Sequence, residues 1–442
     1  MNNLARGDKK LLNAWAFYDW ANSVYSLTIV STIFPIFYGL LFRTAGLTHI
    51  ALFGMIIKST SVIAFVTALA FAMVVVLSPI LSGIADYLGN KKTFMRFFCY
   101  MGALSSIGLY WFSLEHIYFS LFCYFCGVLG FWGSIVFYNS YLPDIALPEQ
   151  YDAVSAKGYS LGYAGSVLLL IFNLIMVMKP EWIGFTTTNT ETTLTTMRIS
   201  FITVGIWWIG FSSIPFCYLP SHKKNGTKVT KNILFNGFKE LRKEWQQLTT
   251  SPRLKWYLIA FFVYSMGVQT VMLVATYFGE QEIQWTSAEE STIGLIVSVL
   301  IIQLVAIAGA RLTVIAVRKW GNIGVLIALN AIWVGICLLS YYVYKPMQFY
   351  IIATLVGLVM GGIQTLSRST YSAYLPDTKD TTSFFSFYDV TEKIGIVIGM
   401  GIYGLIDQFT NNMRNATVSL IIFFGLGIIL LFKTNKQRVT NN

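Results

Sequence analysis

The chain has 442 residues, 55% hydrophobic and 16% aromatic but only 12% charged, with a mean hydropathy of +0.62; a soluble domain averages about 25% charged, so too few charges remain to coat a water-facing surface. The net charge of +11 would suit nucleic acid, yet the bases lie in short segments between apolar stretches with no nucleic-acid-binding motif around them, and membrane topology accounts for them better. In chain order, stretches long enough to cross a bilayer as helices of about 20 apolar residues are expected at 13–41, 59–84, 93–113, 117–143, 155–178 and 197–219, then at 254–279, 291–317, 323–344, 347–374, 383–407 and 415–433.

That pattern is six spans, a break and six spans: an all-α integral membrane protein with an amino-terminal bundle over 1–219, a basic linker over 220–253 and a carboxy-terminal bundle over 254–442. The linker carries His222, Lys223, Lys224, Lys228, Lys231, Lys239, Arg242 and Lys243. Its second half spaces Phe235, Phe238, Leu241 and Trp245 three or four apart, which suggests an amphipathic helix at the membrane surface. Placing Arg6, Lys9 and Lys10 in the cytoplasm also puts Lys91, Lys92, the linker, Arg318, Lys319, Lys433, Lys436 and Arg438 inside, whereas the opposite loops hold only isolated bases and the acids Glu280, Glu282, Glu289 and Glu290. By the positive-inside rule both termini are then cytoplasmic. The first apolar stretch is too long and too dotted with polar residues for a cleavable signal peptide.

Two polar phrases repeat at the same expected membrane depth. Phe137-Tyr-Asn-Ser-Tyr-Leu-Pro-Asp144 returns as Thr370-Tyr-Ser-Ala-Tyr-Leu-Pro-Asp377, and each precedes a Tyr-headed, Gly-punctuated helix, Tyr159–Gly165 and Tyr388–Gly399. A spacing of about half the chain is the mark of an internally duplicated carrier. Between spans two and three the chain reads Gly83-Ile-Ala-Asp86-Tyr-Leu-Gly89-Asn-Lys91-Lys92. Gly83 lets neighbouring helices approach closely, Asp86 near a helix end can accept bonds from a partner helix terminus, and the two lysines hold the loop at the cytoplasmic face. The second-half counterpart, Arg318-Lys-Trp-Gly-Asn322, keeps only basic and Gly remnants.

The Gly83–Lys92 loop resembles the cytoplasmic signature of the major facilitator superfamily, with Tyr87 and Asn90 where bases are usual. Asn13-Ala-Trp-Ala-Phe-Tyr-Asp-Trp-Ala-Asn-Ser23, the Phe137–Asp144 phrase and Ser367-Arg-Ser with Phe384, Phe385, Tyr388 and Lys393 look like the vacuole-effluxer-like branch, which includes the fungal autophagy-related amino-acid effluxer and uncharacterised bacterial proteins. The resemblance runs over essentially the whole chain. It implies the major facilitator fold, two six-helix bundles, a loop that latches the halves in one state, and an amino acid or related metabolite as substrate. Asp389 and Glu392 depart from that branch's pattern.

Ionisable groups inside a span cost about 2.5–3.5 kcal/mol on insertion scales and therefore mark a cavity or pathway. In the first span Tyr18, Asn22 and Tyr25 share one helical face, with Asp19, Ser23 and Ser26 on the adjoining one, and Asp19 suits a gate contact or direct ligand binding equally. In the eleventh, Asp389 and Lys393 are an i, i+4 pair with the acid first, and Glu392 beside them leaves surplus negative charge that could carry a coupling proton or belong to a structural ion-pair cluster. In the tenth, Gln364, Arg368 and Tyr371 align, and Arg368 is expected to pair with Asp144 or Asp377 as a gate, or with a substrate carboxylate. Tyr138 and Asn139 hold the matching place in the fourth span. Gln269 and Gln303 are neutral groups that could orient a ligand or bond between helices.

Other function classes fit less well. No Walker-type phosphate loop occurs, and no His- or Cys-containing constellation would serve an enzyme or a metal site; neither a cofactor nor a nucleic-acid partner is expected. The intramembrane charges argue against a transport-dead sensor, and no filter segment suggests a channel. The sequence therefore points to a monomeric secondary active transporter of a small organic solute, proton coupled, in the lipid bilayer. A larger amphipathic cargo, such as a metal chelate, drug or peptide fragment, is the alternative.

Overall fold

The computed structural model describes residues 4–185, 189–221, 233–376, 378 and 380–436. The linker bases between 222 and 231, Arg438 and Asp377 lie outside these, and so do the side chains of Phe235 and Phe238. Among the described residues, the regular structure is helical apart from one short hairpin.

The first helix, α1 (Lys9–Val24), is started by Asp8, whose carboxylate accepts from the free N–H groups of Lys10 and Leu11 at 2.7 and 3.4 Å, as an N-cap should. It runs without a break into a wide π-helical stretch, Tyr25–Thr32, and then α2 (Ile33–Thr44). The sequence reading had no strands, but His49–Leu52 (β1) and Met55–Lys58 (β2) form an antiparallel hairpin. Its two-residue turn, Phe53-Gly54, has positive φ at both positions (51° and 79°), the twist that such a tight connection requires. The Phe53 N–H donates to the Tyr118 hydroxyl at 3.1 Å, which fixes the tip.

Next come α3 (Ser59–Leu88), α4 (Lys91–Gly108), α5 (Ile117–Asn139), the single turn α6 (Leu142–Ile145), α7 (Tyr151–Met178) and α8 (Thr190–Tyr218). After the linker helix α9 (Ile233–Thr250) follow α10 (Pro252–Glu282), α11 (Ala288–Ser340), α12 (Pro346–Tyr374), α13 (Thr381–Thr410), α14 (Met413–Ser419) and α15 (Ile421–Lys436). Among the described residues nine segments are long and apolar enough to cross a bilayer. The longest of these, in α11, is interrupted at Gly321, whose φ of 68° and ψ of 165° are open to glycine and hardly to other residues.

Lipid tails are as apolar as leucine, so helices in a membrane associate through close packing and buried polar bonds. The α11–α12 pair illustrates this: a Cβ on Gly361 would collide with the backbone of Ala306, so only the missing side chain lets the two backbones meet. The buried apolar residues divide into two clusters, one drawn from positions 11–219 and the other from 248–431 together with Tyr163. The linker helix α9 packs against α3. Leu241 and Leu248 are buried, and Trp245, half exposed, sets its edge on Phe387 at 5.5 Å. Leu241 and Trp245 of the apolar face expected from the sequence thus meet protein.

Candidate functional site

Most of the charged and polar groups that the sequence singled out converge on the seam between the two apolar clusters, in three layers running inward from the end where α1 starts and α15 finishes. The outermost is a pair of latches. Gly89, in a left-handed conformation (φ 66°), ends α3 and leaves Asp86 in its last turn. There the buried Asp86 carboxylate accepts from the first residues of α13, at 2.7 Å from Ser383 N–H, 2.8 Å from its hydroxyl and 3.3 Å from Thr382 N–H. The free N–H groups at a helix start favour an anion, so a first-half acid caps a second-half helix. Beside it Lys91 donates to Asp144, to Ser140 O at 3.0 Å and to Thr381 Oγ1 at 3.0 Å, and covers the Tyr141 ring at 4.4 Å. Across the seam Asn322 donates to Asp152 at 2.8 Å and to Thr370 at 3.1 Å. Gly83 is buried in α3, and Lys92 turns away from the seam to donate to Leu219 O at 2.7 Å.

The middle layer centres on Arg368 of α12, 2% exposed. Its guanidinium reaches Asp19 Oδ2 at 3.3 and 3.4 Å, Asn139 Oδ1 at 3.2 Å, Ser155 O at 2.9 Å and Ser155 Oγ at 3.0 Å. The rings of Tyr159, Trp15 and Tyr138 surround it with centroids at 4.1, 4.8 and 5.5 Å. Asp144, one of the partners expected for Arg368, is taken by Lys91, and Asp377 lies outside the described residues; Asp19 is the acid that Arg368 meets. The Tyr138 hydroxyl donates to the same Asp19 oxygen at 2.7 Å. Gly158 makes the space, since a Cβ there would lie 2.5 Å from Asp19 Oδ2 and 3.0 Å from Arg368. Nearby the Tyr371 hydroxyl donates to Phe384 O at 2.6 Å and ties α12 to the start of α13.

The third layer is carried by α13. Lys393, wholly buried, bonds Asp389 at 2.9 Å and Glu392 at 2.7 Å, and its ammonium rests 3.6 Å from the Trp132 ring centroid of α5. Gln269 of α10 donates to Glu392 at 2.7 Å. Tyr388 stacks on Phe261 at 4.1 Å, and Tyr163 of α7 donates to Gln364 of α12. Two acids face one base here, with an aromatic face and an amide sharing the load. Buried ions remain affordable only when paired and hydrogen-bonded in this way.

Not every residue picked from the sequence joins the seam. Tyr25 packs inside the first half against Phe131 and Trp208, at 5.3 and 5.6 Å, and Tyr18 packs against Tyr138 at 5.0 Å. Asn22 is buried with its carbonyl oxygen 3.4 Å from the Ser23 hydroxyl, and Gln303 is half-buried on α11. Conversely, Trp132, Asp152, Ser155, Thr381 and Ser383 take part in the seam unannounced, and Asn322 joins it from the second-half loop in which only basic and Gly remnants were recognised. Asp152 stands at the start of α7 as Ser383 does at the start of α13, so the internal duplication carried a signal for it.

The backbone superposes on transporters of known structure at low sequence identity. Against the E. coli fucose:proton symporter FucP the TM-score is 0.68, with 13% identity over 96% of this chain and 97% of that one. Against the human organic anion transporter MFSD10 it is 0.67, with 13% identity over 96% and 100%. The fold is therefore that of the major facilitator superfamily. The chain belongs to the Atg22-like vacuole effluxer family, whose model matches residues 7–442, and is with that family a multi-pass membrane protein of a transporter class. It is 29% identical to the uncharacterized MFS-type transporter YxiO of Bacillus subtilis over 95% of this chain and 93% of that protein. It is also 23% identical to autophagy-related protein 22 of Kluyveromyces lactis, over 95% and 94%.

Proposed function

We propose that the protein is a secondary active transporter in which twelve spans form two six-helix bundles, 1–219 and 254–442, joined by the linker 220–253, and that the bundles rock about the seam to expose a central site alternately to either side. The observation that carries this reading is the position of Arg368: a second-half cation buried among groups of the first half, held by ionic and hydrogen bonds that can part without any covalent change. The latches at Asp86, Lys91 and Asn322 close the same end. The spread of basic residues supports placing that end and both termini in the cytoplasm of a bacterial cell, with the protein acting as a monomer in the inner membrane.

The cargo on this reading is an amino acid or a related small metabolite, coupled to a proton. The surplus acid of the Asp389–Glu392–Lys393 group supports the coupling, because one carboxyl there can exchange a proton while Lys393 keeps the other paired. Reconstituted protein tests it: Glu392→Gln should abolish uphill accumulation driven by a pH gradient and leave solute exchange intact. Accumulation that still follows the pH gradient in Glu392→Gln would refute the assignment.

A further inference from the structure

Closing a gate requires one acid opposite one base. Arg368 has far more than that around it, and all of it comes from the first half: the Asp19 carboxylate, the carbonyl oxygens of Asn139 and Ser155, and the faces of Trp15, Tyr138 and Tyr159. A carboxylate plus acceptors within a ring of aromatic faces is the chemistry that selects an organic cation, and the planar guanidinium above all. Part of the socket is held without its occupant. Trp15 donates its indole N–H to Tyr138 O at 2.9 Å and stacks on the Tyr138 ring at 4.5 Å, while the Tyr138 hydroxyl holds Asp19. These ties stay within the first half, so the carboxylate and two of the rings remain preorganised when the seam opens, whereas the Ser155 hydroxyl, which donates to Thr365 O of α12 at 2.9 Å, is released with Arg368.

We propose that this socket is the substrate's cation site, and that Arg368 occupies it here as a surrogate for the cargo. Resting on the carrier reading above, opening the seam withdraws Arg368 with α12. The side-chain guanidinium of the solute then takes its place, and the freed Arg368 pairs with the solute carboxylate. The substrate class is an amino acid or short peptide that carries a guanidinium side chain, the α-ammonium common to all amino acids being too short and too strongly hydrated to replace it. Substrate and gate compete for one socket, so the cargo itself would promote opening.

The test uses the purified full-length chain with three probes: agmatine, L-arginine and L-citrulline, the last a neutral near-isostere of arginine. Arg368→Ala uncovers the socket. Agmatine and arginine should raise the melting temperature of that variant by several degrees and citrulline should not; adding Asp19→Asn should remove the shift. Should Arg368→Ala fail to fold, equilibrium binding of radiolabelled arginine to the wild-type chain gives the same reading: competition by agmatine and not by citrulline supports the site. Equal responses to arginine and citrulline, or none to either, would overturn it. Counterflow in liposomes separates the two claims. Exchange of neutral amino acids unaffected by arginine leaves the carrier standing and removes the cation site, whereas cation binding without counterflow of any solute leaves the site and removes the carrier.

Discussion

At the scale of single residues, the seam depends on a carboxylate and a guanidinium 349 positions apart. Removing one partner of a buried pair leaves the other uncompensated, at a cost of roughly 3–5 kcal/mol. Arg368→Ala should therefore depopulate the closed form by two orders of magnitude or more, read as faster maleimide labelling of a cysteine placed at Ser155. The charge swap Asp19→Arg with Arg368→Asp should fail to restore transport, because the rings that favour a cation repel a carboxylate; recovery to near the wild-type rate would mean that the pair is a plain ionic latch. Gly158→Ala should lower stability by about 1–3 kcal/mol through overpacking against Asp19 and Arg368, measured as a fall in melting temperature. Asp19 and Arg368 could be picked out of the sequence because a charge in hydrocarbon demands a reason. Their partnership could not, since no linear pattern relates positions so far apart, and the expectation of Asp144 or Asp377 as the partner rested on the acids nearest in the repeated phrase. Trp132 was invisible for the opposite reason: an aromatic in an apolar helix is ordinary until a lysine is found against it.

Among the elements, the helices and their order followed from hydropathy, which the membrane makes nearly deterministic. The π-helical stretch Tyr25–Thr32 leaves hydropathy unchanged, so it could not be read from composition. It lies one turn past Asn22 on the helix that carries Asp19, a place where such widened turns recur beside working sites. The hairpin at His49–Lys58 escaped because it is short and rests on an unusual Phe-Gly turn. The break at Gly321 was foreshadowed by the Gly remnant in the second-half loop. Its conformation predicts that Gly321→Ala costs on the order of 1–3 kcal/mol and weakens the adjoining Asn322–Asp152 bond. Thermal unfolding would read the first effect. For the second, Asp152→Asn should add little further loss to Gly321→Ala, since both disturb one contact.

For the molecule as a whole, the proposed carrier cycle requires that two halves close on each other at the end where α1 starts and α15 finishes, and part there during transport. The repeated phrases raised the expectation of two related halves, whereas the latching of that end is a matter of tertiary contact that sequence does not encode position by position. The most direct measurement is a distance distribution between spin labels on opposite halves, at Glu149→Cys and Lys319→Cys, both exposed, in a background without native cysteines. One short population is expected in the otherwise unaltered protein, and a second, longer one when Asp86→Asn and Arg368→Ala remove the latch and the socket's occupant. A single distance, unchanged in the unlatched variant while transport continues, would contradict it.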